Sequence, residues 1–211
     1  MKVVVFGATG DTGVHLVKQL LLNGHEVTAI VRNPEKLKLS GERLEIIKGD
    51  VLNPSTLEGK LTGKDAVLSV LGGNHRQPTT VYSRGIENML REMQKSGVDR
   101  LICLSAETLK SKKEMSFTER ILVKVLWKIF FNLYSDMQCM EDKIYQSTVD
   151  WTIIRPPYLS NGSAKGDYRI SLNKPVPKGK GRITRADLAT SMVHQLKNPD
   201  SIHSIVYVCG K

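Results

Sequence analysis

Three evenly spaced glycines near the amino terminus are the feature of this sequence that points most directly to chemistry. Gly7, Gly10 and Gly13 form a Gly-x-x-Gly-x-x-Gly motif rather than the more common Gly-x-Gly-x-x-Gly. Glycine lets a phosphate approach the backbone closely, and the first amides of a helix have no partners within that helix. The motif therefore predicts a binding site for the pyrophosphate of a dinucleotide, the alternative being a tight turn without a ligand.

A pair of basic residues follows the next apolar segment, and it suggests which dinucleotide is bound. Arg32 comes directly after Glu26–Val31, nineteen residues beyond Gly13, and Lys36 follows one helical turn later. An acidic residue at this place accepts the ribose 2′-hydroxyl of NAD, whereas arginine accommodates the 2′-phosphate of NADP. We therefore expect NADPH, the alternative being that both cations are only solvated surface charges.

Polar residues and glycines stand at the ends of three later apolar segments. Asp50 could accept a hydrogen bond from an adenine amino group, and Gly72 and Gly73 would let the backbone approach the adenosine ribose. Ser105 ends the segment Val98–Ser105, where catalytic groups of open α/β sheets are found, although serine also serves as a helix cap. These positions would line one crevice at the carboxyl ends of parallel strands.

The elements that must position these residues alternate between strands and helices along the whole chain. The sequence predicts helices near residues 14–22, 81–96 and 184–197 and strands near residues 2–6, 26–31, 44–47, 65–71, 98–105, 150–154 and 204–209. This order predicts an α/β fold: a Rossmann-type doubly wound parallel sheet with a small C-terminal elaboration on the substrate side. We expect a single NAD(P)-binding domain over residues 1–211, with residues 155–183 as a substrate-side loop region.

The segment from residue 121 to residue 136 has an unusual pattern. Its polar residues recur every four positions, at Lys124, Lys128, Asn132 and Asp136, and most other positions are apolar. A helix with one narrow polar stripe must be covered on most sides, by the core, by a dimer interface or by a membrane surface. Burial in the core is the usual outcome for such a helix. A homodimer through residues 121–133 is a further expectation.

Composition and charge narrow the function classes. The 211 residues carry a net charge of +10, and the excess of basic residues is concentrated in 110–128 and 165–185. We expect an anionic cofactor and acceptor rather than nucleic acid, because aromatic residues are not interleaved with the basic ones. We find no apolar run long enough to span a membrane and no signal peptide, so we expect a cytoplasmic protein. The cysteines and histidines show no metal-ligand spacing, so we expect no metal.

These motifs together resemble a known family. The chain is similar to the atypical short-chain dehydrogenases/reductases of the NAD(P)H-binding, NmrA-like group, and most similar to its branch of flavin and biliverdin reductases. The resemblance runs nearly end to end, and Pro78–Val81 is one of the stretches more specific to this branch. The other stretches that carry it are Phe6–Gly13, Val31–Arg32, Gly49–Leu52, Val70–Gly72, Ser105–Ala106 and Pro156–Pro157.

The resemblance implies roles for individual residues. It places Arg32 and Lys36 at the 2′-phosphate, Asp50 and Val51 at the adenine, and Ser105 beside the nicotinamide. The residues implied at the pyrophosphate are Gly7, Thr9, Gly10, Asp11, Thr12 and Gly13, and those implied along the ribose are Leu71, Gly72 and Gly73. The acceptor is expected to be a small, flat, conjugated molecule, namely a flavin, a quinone or a tetrapyrrole.

Two departures from the family pattern, at residue 158 and in the stretch Glu107–Glu141 that borders the presumed substrate pocket, leave the substrate open. Tyr158 stands where the reductases have a histidine, and it could stack on the acceptor or donate a hydrogen bond to it. The Tyr-x-x-x-Lys pair of short-chain dehydrogenases occurs only at Tyr207 and Lys211, on a predicted strand where four residues span about 13 Å, too far to act together. The alternatives are a non-catalytic NAD(P)-sensing regulator and a sugar-nucleotide epimerase or dehydratase, the latter disfavoured because that chemistry depends on the Tyr/Lys pair.

Overall fold

Ten strands and five helices make up the computed structural model, which describes residues 1–73, 77–177, 179 and 181–211. The strands are β1 (Lys2–Phe6), β2 (Glu26–Val31), β3 (Leu44–Lys48), β4 (Ala66–Ser69), β5 (Arg100–Leu104), β6 (Asp150–Arg155), β7 (Tyr158–Ser160), β8 (Tyr168–Leu172), β9 (Arg182–Thr184) and β10 (Ser204–Gly210). The helices are α1 (Asp11–Leu22), α2 (Ser83–Ser96), α3 (Phe117–Ile129), α4 (Phe131–Tyr145) and α5 (Arg185–Gln195).

The main sheet has the strand order expected of a doubly wound fold. Eight strands run in the order β3-β2-β1-β4-β5-β6-β10-β8, all parallel except β8, which pairs antiparallel with β10. The order reverses between β1 and β4, so connections leave in opposite directions there and a crevice opens at their carboxyl ends. The predicted Rossmann-type sheet is therefore confirmed.

Helices cover both faces of the sheet. α1 and α5 pack together on one face, and α2 and α4 pack together on the other. Successive residues of a strand point to opposite faces, so Val3 and Val5 of β1 belong to the first core and Val4 and Phe6 to the second. Within the described ranges, no helix is long and apolar enough to cross a membrane.

The junction between β1 and α1 depends on two of its glycines. Gly7 has a φ of +82°, a left-handed conformation that favours glycine, and a Cβ there would collide with the carbonyl of Val70. A Cβ on Gly13 would collide with the carbonyl of Gly7. Both residues therefore let α1 start immediately beside the end of β1, three residues earlier than the apolar pattern indicates.

The region of residues 121–136 differs from the expectation of one helix buried in the core. The helix ends at Ile129 and a second begins at Phe131, with Phe130 between them at φ −112° and ψ 30°. None of the residues of α3 is buried, whereas α4 buries Asp136 and Met137. The break at Phe130 divides the polar stripe, which leaves Lys124 and Lys128 exposed on one helix and Asp136 buried on the next.

Residues 155–183 form more regular structure than a loop. β7 and β9 pair in a separate parallel sheet of two strands, and β8 lies at the edge of the main sheet. Two of the basic residues that the sequence places in this region, Lys178 and Lys180, lie outside the described residues.

Candidate functional site

A cavity of about 650 Å³ lies at the carboxyl ends of the parallel strands, where the strand order reverses. Twelve of the predicted site residues line it, from the glycine turn and the ends of β2, β3, β4 and β5. These residues are Gly7, Thr9, Gly10, Asp11, Thr12, Arg32, Lys36, Asp50, Val51, Leu71, Gly72 and Ser105. The structure therefore brings together groups that are up to 98 residues apart in sequence.

Three other predicted site residues lie outside this lining. Gly13 is buried beneath the glycine turn. Gly73 donates its amide to the hydroxyl of Tyr82 over 2.9 Å. Tyr158 is 74% exposed, and its neighbour Leu159 lines the cavity instead, because successive residues of a strand point in opposite directions.

The glycine end of the cavity has the chemistry that a phosphate needs. Gly10 is the N-cap of α1 and has no side chain that could occupy the free amides of the first helical turn. A Cβ on Gly10 would meet no protein atom closer than the Gly7 carbonyl oxygen, at 3.5 Å. The open space in front of the helix N-terminus can therefore hold an anion, as the pyrophosphate of a dinucleotide requires.

Asp50 and Val51 occupy the turn after β3. The backbone amide of Asp50 donates to Thr56 Oγ1 over 2.9 Å, and its Oδ1 atom accepts the amide of Leu52 over 3.0 Å. Val51 is buried, and its carbonyl accepts a hydrogen bond from the Asn88 side chain over 2.7 Å. These bonds fix the turn and leave the second carboxylate oxygen of Asp50 available to the cavity.

Ser105 belongs to a buried hydrogen-bond network at the end of β5. Its hydroxyl donates to Glu141 Oε1 over 2.5 Å, and Arg155 Nε donates to the same oxygen over 3.0 Å. Arg155 also bonds to Glu141 Oε2, which accepts the hydroxyl of Tyr145 over 3.1 Å. Arg155 Nη1 donates to the Tyr207 hydroxyl over 3.0 Å. Ser105, Glu141 and Arg155 are each more than 90% buried, so the network is rigid and largely shielded from water.

The pKa shifts in this network agree with a buried ion pair. Burial alone would lower the pKa of Arg155, but the hydrogen bond and negative charge of Glu141 outweigh it and raise that pKa above its usual value. The pKa of Tyr145 is raised by burial and by the charge of Glu141. The pKa of Tyr207 is also raised by burial. All three groups therefore hold their protons near neutral pH, and neither tyrosine is a ready base.

The stretch Glu107–Glu141 was expected to border the substrate pocket, but its lining residues on α4 were not named from the sequence. Leu133 and Met137, one helical turn apart, line the cavity together with Tyr134. A Tyr-x-x-x-Lys pair would have this spacing, yet no lysine lies on this helix face. Pro156 and Pro157, which follow β6, also line the cavity. The cavity therefore has apolar residues next to Ser105. The i, i+4 spacing of Leu133 and Met137 is the sequence pattern that could have indicated its α4 wall.

Asp136 holds the start of α2 in place next to the cavity. Its carboxylate accepts the backbone amides of Tyr82 over 3.0 Å and Ser83 over 3.2 Å, which are the first amides of α2. The N-terminus of α2 is therefore capped by a residue from α4, while Thr79 Oγ1 accepts the amide of Val81. A residue distant in sequence supplies a cap that local pattern cannot reveal.

Arg185 is a further cavity residue that the sequence did not single out. Its Nε atom lies 3.7 Å from Asp11 Oδ2, and its Nη1 atom donates to the Leu159 carbonyl over 3.2 Å and to Asn161 Oδ1 over 2.8 Å. The cation offsets the negative charge of Asp11 at the helix N-terminus, where a phosphate would otherwise be repelled.

A second cavity, of about 560 Å³, lies on the other side of Arg155. Lys110 borders it and is paired with Glu107 over 3.0 Å and Glu119 over 2.8 Å. Tyr207 also borders it, whereas Lys211 pairs with Asp167 over 3.0 Å. Tyr207 and Lys211 thus have separate partners, in line with their rejection as a catalytic pair.

Comparison with known proteins places these features in context. The chain is 26% identical over 220 residues to an uncharacterized chloroplastic protein of Arabidopsis thaliana, and the match covers all of this chain and 77% of that protein. It is 30% identical over 176 residues to the photosystem II assembly factor Ycf39 of Synechocystis sp., and here the match covers 82% of this chain and 49% of that protein. The chain therefore spans about half the length of the latter.

Solved structures share the fold over the whole chain. The oxidoreductase ylbE of Lactococcus lactis superposes with a TM-score of 0.84 at 22% identity, covering all of this chain and 91% of that one. The anaerobillin reductase ChuY of Escherichia coli O157:H7 superposes with a TM-score of 0.78 at 19% identity, covering all of this chain and 97% of that one. At these identities the likeness establishes the fold.

A sequence profile of NAD(P)H-binding proteins matches residues 7–199, which is nearly all of the chain. The match includes the glycine turn, the end of β2, and Ser105, Glu141 and Arg155 of the buried network. Its range agrees with the resemblance inferred from the motifs and with the observed strand order. The chain belongs to the NAD(P)H-binding family.

Proposed function

We propose that this protein is an NADPH-dependent reductase that transfers hydride to a flat, conjugated acceptor such as a flavin, a quinone or a tetrapyrrole. The observation that carries the choice of cofactor is the pair of cations at the end of β2. Arg32 and Lys36 line the same cavity as the glycine turn, and Glu35, the nearest carboxylate, is not part of the described lining. An arginine at this position favours a ribose 2′-phosphate.

The residues of the cavity divide the task of holding the dinucleotide. The glycine turn and the N-terminus of α1 would bind the pyrophosphate, with Arg185 offsetting the charge of Asp11. Asp50 would accept a hydrogen bond from the adenine amino group, and Leu71 and Gly72 would lie along the ribose. The nicotinamide, when bound, supplies a hydride donor.

The choice of acceptor rests on the groups that face Ser105. Leu133 and Met137 supply no acid, and the hydroxyl hydrogen of Ser105 is donated to Glu141, so the Tyr134 hydroxyl is the group on the α4 wall that could donate a proton. A ketone reduced to an alcohol needs a proton donor at the carbonyl oxygen, whereas a conjugated ring system spreads the added charge and can take its proton from water. The side-chain rings of Tyr134 and Pro156 suit a flat acceptor, so orientation would do most of the catalytic work.

The remaining expectations follow from this assignment. Ser105 would act beside the nicotinamide as a hydrogen-bond acceptor, and an exposed Tyr158 could reach an acceptor only from the cavity rim. Arg185 is the basic residue of the 165–185 run that lines the cavity in the described chain, and it would suit an acceptor with phosphate or propionate groups.

NADPH oxidation measured at 340 nm with FMN, a soluble quinone and biliverdin tests the proposal. We expect turnover with at least one acceptor and a clear preference for NADPH over NADH. Tight NADPH binding without turnover of any acceptor would contradict a reductase and favour the alternative of an NAD(P)-sensing regulator, for which the exposed apolar residues of 121–133 would offer a partner surface.

A further inference from the structure

The outward face of α3 exposes large apolar side chains to solvent. Phe117, Ile121, Val125 and Ile129 recur every four residues and so lie along one side of the helix. Together with Leu122 and with Phe131 at the start of α4, these residues form an apolar patch. The side chain of every residue in the patch is at least 50% exposed. Soluble monomers rarely expose so many neighbouring large apolar side chains, so this face is suited to contact another surface.

Basic residues run along one edge of the patch. Lys124 and Lys128 are exposed and one turn apart, each directly preceding an apolar residue of the patch. Neither takes part in an ion pair with any other residue that the structure describes. Glu119, the one acidic residue in the sequence of α3, is paired with the buried Lys110. The outward surface of the helix is therefore apolar and positively charged.

The inner side of α3 holds it firmly in this orientation. A capping box closes its N-terminus, in which the Ser116 side chain accepts the amide of Glu119 and the Glu119 side chain accepts the amide of Ser116. Trp127 packs against Tyr134 with ring centroids 5.6 Å apart, and its Nε1 atom donates to the Thr108 carbonyl over 3.5 Å. These contacts fix the orientation of α3, so its apolar face stays turned away from the core.

We propose that this face of α3 docks the protein on the surface of a lipid bilayer that contains anionic lipids. The helix would lie in the plane of the interface, with the apolar patch among the acyl chains and Lys124 and Lys128 at the phosphate groups. Charge favours this occupant over a second copy of the chain, because two copies would bring together molecules of net charge +10 through faces that are themselves positive. The same charge attracts an anionic membrane.

Sedimentation of the full-length protein with phospholipid vesicles tests this proposal. We expect binding to vesicles of phosphatidylglycerol and phosphatidylcholine at 1:3, and much weaker binding to pure phosphatidylcholine. The double variant Lys124→Gln/Lys128→Gln should bind the anionic vesicles roughly 30-fold more weakly, since each basic residue near such a surface contributes a factor of about five. Ile121→Ser/Val125→Ser should abolish binding to both.

A matched control lies on the other face of the sheet. Leu22→Ser/Lys18→Gln on α1 also removes one exposed apolar and one exposed basic residue, and it should leave vesicle binding unchanged. All these positions are exposed, so the melting temperatures of the variants should stay close to that of the wild type. If Ile121→Ser/Val125→Ser does not fold, Lys124→Gln/Lys128→Gln still tests the proposal. NADPH affinity in solution should not change, which separates this test from that of the proposed function.

Three results would overturn the proposal. The first is the absence of binding to anionic vesicles, and the second is binding that the α3 variants leave unaltered. The third is a dimer in light scattering that Ile121→Ser/Val125→Ser dissociates while vesicles bind no protein, which would assign the face to a second copy of the chain.

Discussion

Ser105 donates its hydroxyl hydrogen to Glu141 over 2.5 Å, at the point where the cavity meets the buried core. The same carboxylate is held by Arg155, so the serine is fixed by an ion pair rather than by the cavity. Because its hydrogen is already donated, Ser105 presents only acceptor lone pairs to a bound ligand. Glu141 and Arg155 thus determine what the residue at the end of β5 can do.

Replacing Glu141 with glutamine should lower stability markedly. Arg155 would remain buried without its counter-ion, and the loss of one partner of a buried pair costs at least about 3 kcal/mol. Glu87→Gln is the matched control, because Glu87 pairs with Lys143 over 2.8 Å on the surface and such pairs contribute less than about 1 kcal/mol. Urea unfolding measures both free energies, and equal effects would contradict the assigned role of Glu141.

Ser105→Ala should reduce turnover without changing its pH dependence. The variant loses one neutral hydrogen bond to the ligand, which corresponds to roughly a threefold to tenfold lower kcat. If Ser105 instead supplied the proton, the loss would be larger and the pH profile of kcat would shift. Steady-state kinetics from pH 6 to pH 9 with the best acceptor distinguishes these outcomes.

The two glycines beside the N-terminus of α1 should respond differently to alanine. Gly13→Ala should lose about 3 kcal/mol of stability, because the new Cβ collides with the carbonyl of Gly7. Gly10→Ala should fold normally, since its φ of −78° suits alanine and its nearest contact is 3.5 Å. Its methyl group would instead occupy the predicted pyrophosphate position, so NADPH affinity should fall at least about tenfold.

Thermal unfolding and NADPH titration of the two glycine variants check this contrast. A Gly10→Ala variant that binds NADPH as well as the wild type would place the pyrophosphate elsewhere. A Gly13→Ala variant of wild-type stability would show that the junction of β1 and α1 can widen without cost.

Acid should weaken the anchoring of α3 through Glu119. The hydrogen bond from Lys110, with that from the Ser116 amide, lowers the pKa of Glu119 from 4.5 to about 2. A lowered pKa in the folded state gives stability that is complete above about pH 4.5 and disappears as the pH falls towards 2. The difference in the free energy of unfolding between wild type and Glu119→Gln should therefore be of the order of 1 kcal/mol at pH 6, since the Glu119 side chain is 44% exposed. This difference should shrink as the pH falls towards 2.

Urea unfolding at pH 6, 4 and 3 measures this difference. In a Lys110→Met background the difference should be smaller at pH 6, because the partner is gone. A difference that stays constant from pH 6 to pH 3 would contradict the role of Glu119.

Local sequence pattern predicts the elements whose chemistry is local. The boundaries of β2 agree with its apolar run, and Gly97 ends α2 with a φ of +66°. The glycine turn and the cations after β2 lie where a strand–turn–helix sequence must put them, so twelve predicted residues meet in one cavity. NADPH as the cofactor and the catalytic role of Ser105 stay predictions.

The rest depends on contacts between distant residues, which one sequence does not reveal. The cap of α2 comes from Asp136, 54 residues away from Tyr82. Trp127 and Tyr134 pack across the helix break at Phe130, and the polar pattern of the sequence continues through that break without indicating it. Tyr158 points outward because β7 joins β9 in a separate sheet, a pairing invisible in the local pattern.

Selection of NADPH through Arg32 is tested most directly by calorimetric titration of the purified protein with NADPH and with NADH. The same two titrations are repeated with the Arg32→Ala variant. We expect NADPH to bind at least about tenfold more tightly than NADH, because a charge-assisted hydrogen bond to the 2′-phosphate is lost with NADH. Arg32→Ala should remove most of that difference while leaving NADH affinity unchanged. Equal affinities in the wild type, or no binding of either dinucleotide, would contradict the account.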